Sequence, residues 1–146
     1  MMSCLKLVKQ LKMAVDIMEQ CIFCKHENKI AENETAYARL DGFPVSNGHT
    51  LIIPKRHVKT YFDLTDDEIK DIFSLAKEIK FFIDNTYKPD GYNIGFNVNE
   101  AGGQTVEHCH MHIIPRYNGD VENPRGGVRN VISNKADYLN QTISDI

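Results

Sequence analysis

The chain contains no tryptophan, and no apolar run approaches the roughly 20 residues a membrane-spanning helix needs. No membrane span is expected. An excess of positive charge is also missing: 17 Lys and Arg stand against 20 Asp and Glu, a net charge of −3. A bulk nucleic-acid binder would present a basic surface, so nucleic acid is not an expected partner. Neither G-x-G-x-x-G nor G-K-[ST] occurs, which excludes a Rossmann or P-loop phosphate cradle. There is no internal repeat, linker or low-complexity stretch. Cysteines are few (Cys4, Cys21, Cys24, Cys109). Nothing reads as a secretory leader, because Lys6, Lys9 and Lys12 interrupt any apolar core of one. The expected compartment is therefore the cytoplasm, and Cys21-x-x-Cys24 reads as a metal or redox pair rather than part of a disulfide framework.

What is present centres on His108-Cys109-His110-Met111-His112-Ile113-Ile114. In a strand, residues at i, i+2 and i+4 share one face. The three imidazoles would then line up roughly 7 Å apart, at about 3.3 Å per residue. Cys109, Met111 and Ile113 would face the core. A row of imidazoles does nothing for stability, and imidazole is both a common catalytic base and a common metal ligand.

The remaining elements read in order. Leu5, Val8, Leu11, Val15 and Met18 have helical spacing, so the start of the chain is expected to form a short amphipathic helix lying on the domain. Lys25 to Asn28 reads as a knuckle-like turn, with His26 a solvated bystander. Thr35–Leu40 and His49–Ile53 read as strands, the second ending at Pro54. Thr65-Asp66-Asp67-Glu68 has the capping-box pattern. It opens a helix whose buried stripe is expected to be Ile69, Ile72, Phe73, Ala76, Ile79 and Ile83, stopping before Lys88-Pro89-Asp90-Gly91. Tyr92–Asn99 alternates, with Asn93, Gly95, Asn97 and Asn99 on the polar face. Gly102-Gly103 turns the chain toward the histidine strand. The two strands should form a hairpin, with that polar face beside the histidines. The tail from Tyr117 to Arg129 is loop-like, and residues 130–146 carry no chemical signal.

The pattern of His108 to Ile114 resembles the His-φ-His-φ-His-φ-φ signature of the histidine triad (HIT) superfamily. Ala101-Gly102-Gly103-Gln104-Thr105-Val106 before it, Pro115-Arg116-Tyr117 after it, and Gly48-His49-Thr50-Leu51-Ile52-Ile53-Pro54-Lys55-Arg56-His57 are similar to the same family. The resemblance runs from about Cys21 to about Arg129. It is nearest to the bacterial and archaeal Cys-x-x-Cys members and to diadenosine tetraphosphate hydrolases. It implies an α+β fold, a five-stranded antiparallel sheet with a long helix packed on it, joined into a homodimer. Residues 1–17 would be an N-terminal extension, and 18–146 a single domain.

The resemblance implies hydrolysis or transfer at a nucleotide α-phosphate through a nucleotidyl-histidine intermediate. His110 would be the nucleophile. Around it, His112, Gln104 and Thr105 offer donors to a developing phosphoryl charge, and the resemblance adds His49. For substrate binding it implies Asp41 on the ribose hydroxyls, Asn97 from the neighbouring strand, and Ile22, Phe23 and Phe43 in a purine cleft. The substrate would be a dinucleoside polyphosphate, such as diadenosine tetraphosphate, or a nucleoside phosphoramidate. Cys21 and Cys24 form half of a tetrahedral zinc site. In the Cys-x-x-Cys members, His57 and His108 complete a structural one. A redox pair, a metal-dependent hydrolase and a nucleotide-binding regulatory protein with little turnover are the competing readings.

Overall fold

A computed structural model describes residues 4–140; Met1–Ser3 and Gln141–Ile146, the ends of the expected extension and tail, lie outside the described residues. Five strands, β1 (Lys29–Glu32), β2 (Ala36–Leu40), β3 (Thr50–Pro54), β4 (Gly91–Phe96) and β5 (Met111–Arg116), form one antiparallel sheet in the order β1-β2-β3-β5-β4. Helix α1 spans Cys4–Gln20 and helix α2 spans Asp66–Tyr87. The expected five-stranded sheet with one long helix on it is present. β1 was not anticipated. Only Ala31 of its four residues is even half-buried, so it has no apolar alternation to betray it.

Helix α2 starts where its capping box predicts. The Thr65 hydroxyl accepts from the Glu68 N–H, and the Glu68 carboxylate accepts from the Thr65 N–H. Such a cap is worth about 1 kcal/mol. The helix ends at Lys88, in the left-handed region at φ 52°, ahead of the proline. Its buried stripe is Ile72, Leu75, Ile79 and Ile83, packed on Ala36, Ala38, Ile52, Met111 and Ile113 of the sheet. Each fully buried aliphatic side chain contributes about 1.5–3 kcal/mol. The expected stripe needs one correction. Phe73 is exposed and Leu75 is buried, because the face centred on Ile72 and Ile79 turns position 75 inward and position 73 out.

The opposite face of the sheet carries a smaller cluster: Phe23, Tyr37, Leu51 and Ile53. His49 shares its side of the chain with Leu51 and Ile53, two and four residues on. Leu51 faces His112 in the register, and Gly95 faces His112 from β4. The hairpin of β4 and β5 therefore brings the polar face of β4 beside the histidines, as expected.

Helix α1 does not lie on the domain. Leu5, Val8, Leu11, Val15 and Met18 are all exposed. Local periodicity made the helix, but no apolar surface of the domain covers it. No helix among the described residues is long and apolar enough to cross a membrane.

Candidate active site

The histidine segment is only partly a strand. β5 begins at Met111, so His112 alone of the three histidines lies within it, while His108 and His110 sit in the approach. That approach is held by backbone: the Cys109 N–H donates to the Val58 carbonyl at 2.7 Å. The side chains then diverge. His108 turns toward the cysteines, His112 toward His49, and His110 lies between, its ring 4.9 Å from that of His112. Cys109, Met111 and Ile113 are buried.

At one end, Cys21, Cys24, His57 and His108 bring their ligand atoms within 4.8 Å of one another. His108 Nδ1 is 3.4 Å from Cys21 Sγ and 3.5 Å from Cys24 Sγ, and His57 Nδ1 is 3.2 Å from Cys24 Sγ. Around zinc, with bonds of about 2.0–2.3 Å, neighbouring ligand atoms of a tetrahedron lie roughly 3.3–3.8 Å apart. The donor set and its spacing fit that ion. His108 Nε2 donates to the Pro54 carbonyl at 2.8 Å, leaving Nδ1 as a lone pair aimed at the cysteines, the support a ligating histidine usually has. Burial pushes the Cys24 thiol up to about 12, and Cys21 beside it adds to the shift. A redox cysteine has the opposite bias; a cation among these thiols would remove the penalty. The Cys21–Cys24 segment is anchored by the buried Tyr37, whose hydroxyl donates to the Phe23 carbonyl at 2.6 Å. Next to His57 in the chain, the Arg56 guanidinium holds both oxygens of the buried Glu68 at 2.8 Å. His26, expected as a solvated bystander, is half-buried and has protein partners. Its Nε2 lies 3.1 Å from the Lys55 carbonyl and its ring 5.0 Å from Tyr37.

At the other end, the turn Ser46–Gly48 delivers His49. Gly48 has φ +84°, and a Cβ there would meet Tyr87 at 2.8 Å, so no other residue fits. The Val45 N–H donates to His49 Nδ1 at 3.2 Å. Neutral His49 must then carry its proton on Nε2, which lies 3.0 Å from His112 Nδ1 and 3.4 Å from Asp41 Oδ2. With Nδ1 of His112 accepting, its proton sits on Nε2, and that atom is buried without a partner. A buried donor left open in this way points to an acceptor that is not protein. His110 has the opposite tautomer. Its Nδ1 donates to the His108 carbonyl at 2.7 Å, so Nε2 carries the lone pair. Burial lowers the pKa of His49 and His110, and that of His112 to about 4, with the neighbouring imidazoles adding to the effect at His49 and His112. All three are neutral at pH 7.

The other expected site residues are distributed unevenly. Asp41 is half-buried beside His49, one oxygen accepting from the Phe43 N–H at 2.9 Å. Asn97 lies just past β4, its amide against Gly103. Thr105 is exposed in the approach. Gln104 does not point free donors at a phosphate. Its amide nitrogen donates to the carbonyls of Lys59 and Val106, and its oxygen accepts from the Asn99 N–H, so it staples the loop. Phe23 is not an open cleft wall: it is 4% exposed, packed edge-on to His108 and His110 at 5.9 and 5.1 Å. Phe43 and Ile22 are exposed. The partners absent from the sequence reading are Val45, Pro54 and Val58, which act through backbone groups and leave no signature in a sequence.

The three triad histidines do not converge on one ion, since His108 is drawn into the cysteine cluster. A second set, Asp41, His49 and His112, has ligand atoms within 4.8 Å of one another, but its two imidazoles already bond each other.

A family model described as HIT domain matches residues 24–119. Adenosine 5'-monophosphoramidase hnt1 of Schizosaccharomyces pombe is 38% identical over 104 residues, covering 67% of this chain and 75% of that protein. AP-4-A phosphorylase of Mycobacterium tuberculosis is 36% identical over 92 residues, 62% of this chain and 47% of that protein. A crystal structure of a Zn-bound histidine triad family protein from Mycobacterium smegmatis is similar at TM-score 0.66 and 32% identity, covering 73% of this chain and 81% of that one.

Proposed function

The chain belongs to the HIT domain family, and from that premise we propose that it is a nucleotide hydrolase or transferase acting at an α-phosphate through a covalent intermediate on His110. One observation carries the reading: His110 Nε2 carries a lone pair, and the His112 ring, 4.9 Å from the His110 ring, holds a buried, unpartnered Nε2–H. A neutral imidazole whose other nitrogen is tied to a carbonyl is an activated nucleophile, and a preset donor suits the negative charge on the phosphoryl and leaving-group oxygens in the transition state. His110 Nε2 attacks the α-phosphorus, a P–N bond forms, and the bond to the leaving group breaks. Water then attacks the same phosphorus, a P–O bond forms, the P–N bond breaks with its electron pair returning to Nε2, and the proton water loses passes to solvent.

In this reading the Val45–His49–His112 chain fixes the donor tautomer, and Thr105 and Asn97 contribute at the phosphate. Asp41 accepts from the ribose hydroxyls, and Phe43 and Ile22 flank the base. Gln104 acts by shaping the loop. The substrate class is a dinucleoside polyphosphate or a nucleoside phosphoramidate; relatives bearing names of both kinds support it. Residues 1–17 are read as an extension to a domain of 18–146, working in the cytoplasm. Zinc at Cys21, Cys24, His57 and His108 would be structural, supplying charge to the thiols and a four-point tie, with no position left for substrate.

Rapid quenching with an α-phosphorus-labelled substrate tests the mechanism. Label is expected on a peptide containing His110, acid-labile and base-stable; label elsewhere overturns it. The chain is also read as a homodimer formed through α2 and β4, an edge strand with Ile94 half exposed. Sedimentation at micromolar concentration should give twice the 16.7 kDa chain mass; a clean monomer refutes this.

A further inference from the structure

Among the described residues two buried side-chain nitrogens have no hydrogen-bond partner, His112 Nε2 and Arg39 Nε. Both carry a proton, and both lie in one row across the sheet. Arg39 of β2 faces Leu51 of β3, and Leu51 faces His112 of β5, so the three side chains share the face opposite α2. Two strand spacings of about 4.8 Å separate the outer pair. Between them Leu51 is 4% exposed and forms an apolar floor. The fold itself gives Arg39 no task. Its side chain makes no hydrogen bond or ion pair with the described residues, although Asp41 is two positions along; that carboxylate lies against His49 at 3.4 Å. Its neighbour on β1 is Lys29, a like charge, which is unfavourable across a strand pair. Burial raises the pKa of the Tyr37 hydroxyl and the Arg39 charge opposes the rise, in keeping with a guanidinium beside Tyr37 on this face. A buried N–H left open costs stability, so the acceptor for Arg39 is one that the chain does not supply.

We propose that Arg39 reads the base of the bound nucleotide, and that this base is a 6-oxopurine such as guanine. The inference rests on the reading of His110 and His112 as the α-phosphate site. With the phosphate on the His112 donor, the row from His112 over Leu51 to Arg39 spans a nucleoside from its 5′ oxygen to its base. Leu51 beneath, and the exposed Ile22 and Phe43 that flank the base in that reading, offer apolar surface to a flat ring and none to a second phosphate. At the end of the row, Nε–H and an Nη–H of the guanidinium form a parallel pair of donors. The O6 and N7 edge of guanine or hypoxanthine presents two acceptors to such a fork. Adenine presents N7 beside an amino group, which sets donor against donor.

Titration calorimetry of the full-length protein with GMP, IMP, 7-deaza-GMP and AMP tests the assignment. GMP and IMP should bind alike, about 5–150-fold tighter than AMP, the range that one bidentate pair to a base edge gives. The 7-deaza compound, which lacks the N7 acceptor, should fall between. Arg39→Lys keeps the charge and loses the fork, and Arg39→Met loses both; each should bring GMP down to the affinity of AMP. Ligand-free Arg39→Met should melt at or above the parent's temperature, because it removes an open donor. A parent with no preference for GMP overturns the proposal, as does IMP behaving like AMP or a preference that survives in Arg39→Met. Equal weakening of GMP and AMP in both variants would put Arg39 on a phosphate and overturn it too, and an Arg39→Met protein that melts well below the parent would make the residue structural. If none of the four compounds binds, the nucleotide reading falls with this one. The stated preference, with no label trapped on His110, leaves this inference standing and removes the covalent step alone.

Discussion

The two faces of the sheet are made from the same strands and carry different loads. Toward α2, Met111 and Ile113 join an apolar cluster with Ile52, Ile72, Leu75, Ile79 and Ile83. On the other face, one residue away in each direction, His110 and His112 stand with His49 and His108 over the small cluster of Phe23, Tyr37, Leu51 and Ile53. The first face holds no ionisable group in its cluster. The second carries imidazoles, each held through at least one ring nitrogen by a backbone carbonyl, a backbone N–H, another imidazole or the cysteine cluster, with His112 Nε2 left open. Period-two alternation thus lets adjacent residues of one segment serve stability and chemistry separately. Substitutions in the apolar cluster under α2 should move stability and leave kcat, whereas substitution of His110 should move kcat and leave stability at neutral pH.

The largest effect tests the chemical face. His110→Asn should lower turnover by several orders of magnitude while nucleotide binding and melting temperature stay near the parent's. A parent-like kcat would break the comparison at its centre. The apolar face comes next. Leu75→Ala removes a fully buried side chain and should cost about 2–5 kcal/mol of unfolding free energy, measured by urea denaturation. The folded fraction should keep the parent's kcat; a large kcat loss would mean that the faces are not separable.

Acid should expose the cost of keeping imidazoles neutral. His112 is held down to about 4 by burial, against 6.5 for the unfolded chain. Above pH 6.5 neither state binds this proton and the stability is fully present. As pH falls from 6.5 toward 4 the unfolded chain takes up the proton first, so stability declines through that window. Urea midpoints at pH 7.5, 6 and 5 should fall accordingly, and His112→Asn should flatten the decline. A slope unchanged by His112→Asn would assign it to other groups. The smallest effect belongs to α1, whose apolar side chains are exposed. Deleting residues 1–17 should change unfolding free energy by no more than about 0.5 kcal/mol and leave kcat unaltered; a larger loss would mean that the helix is covered in solution.

Local rules determined much of this molecule from sequence alone. Thr65 and Glu68 announced the start of α2. Pro54 marked the end of β3. The alternation from His108 to Ile114 assigned Met111 and Ile113 to the core. The His-φ-His-φ-His pattern, with the upstream glycine and His49 motifs, resembled one family closely enough to imply the sheet, the helix and the four metal-ligand candidates, which the structure brings together. These features are legible because strand period, helix caps and turn residues act over a few positions.

The tertiary structure decided the rest. It made Phe73 an exposed residue and Leu75 a core one, because α2 carries apolar residues at both positions and only its contact with the sheet selects the face centred on Ile72 and Ile79. It left α1 uncovered, although periodicity supplied an apolar face. It spent Gln104 on Lys59 and Val106, and put Phe23 behind the histidines instead of around a base. It also set the protonation of each imidazole. His108 is fixed by the Pro54 carbonyl, His110 by the His108 carbonyl, and His49 by the Val45 N–H. Every residue has a carbonyl and every residue but proline an N–H, so such partners carry no sequence signature. Only the folded path of the backbone chooses which of them each histidine meets, a distant carbonyl for His108 and near neighbours in the chain for His110 and His49.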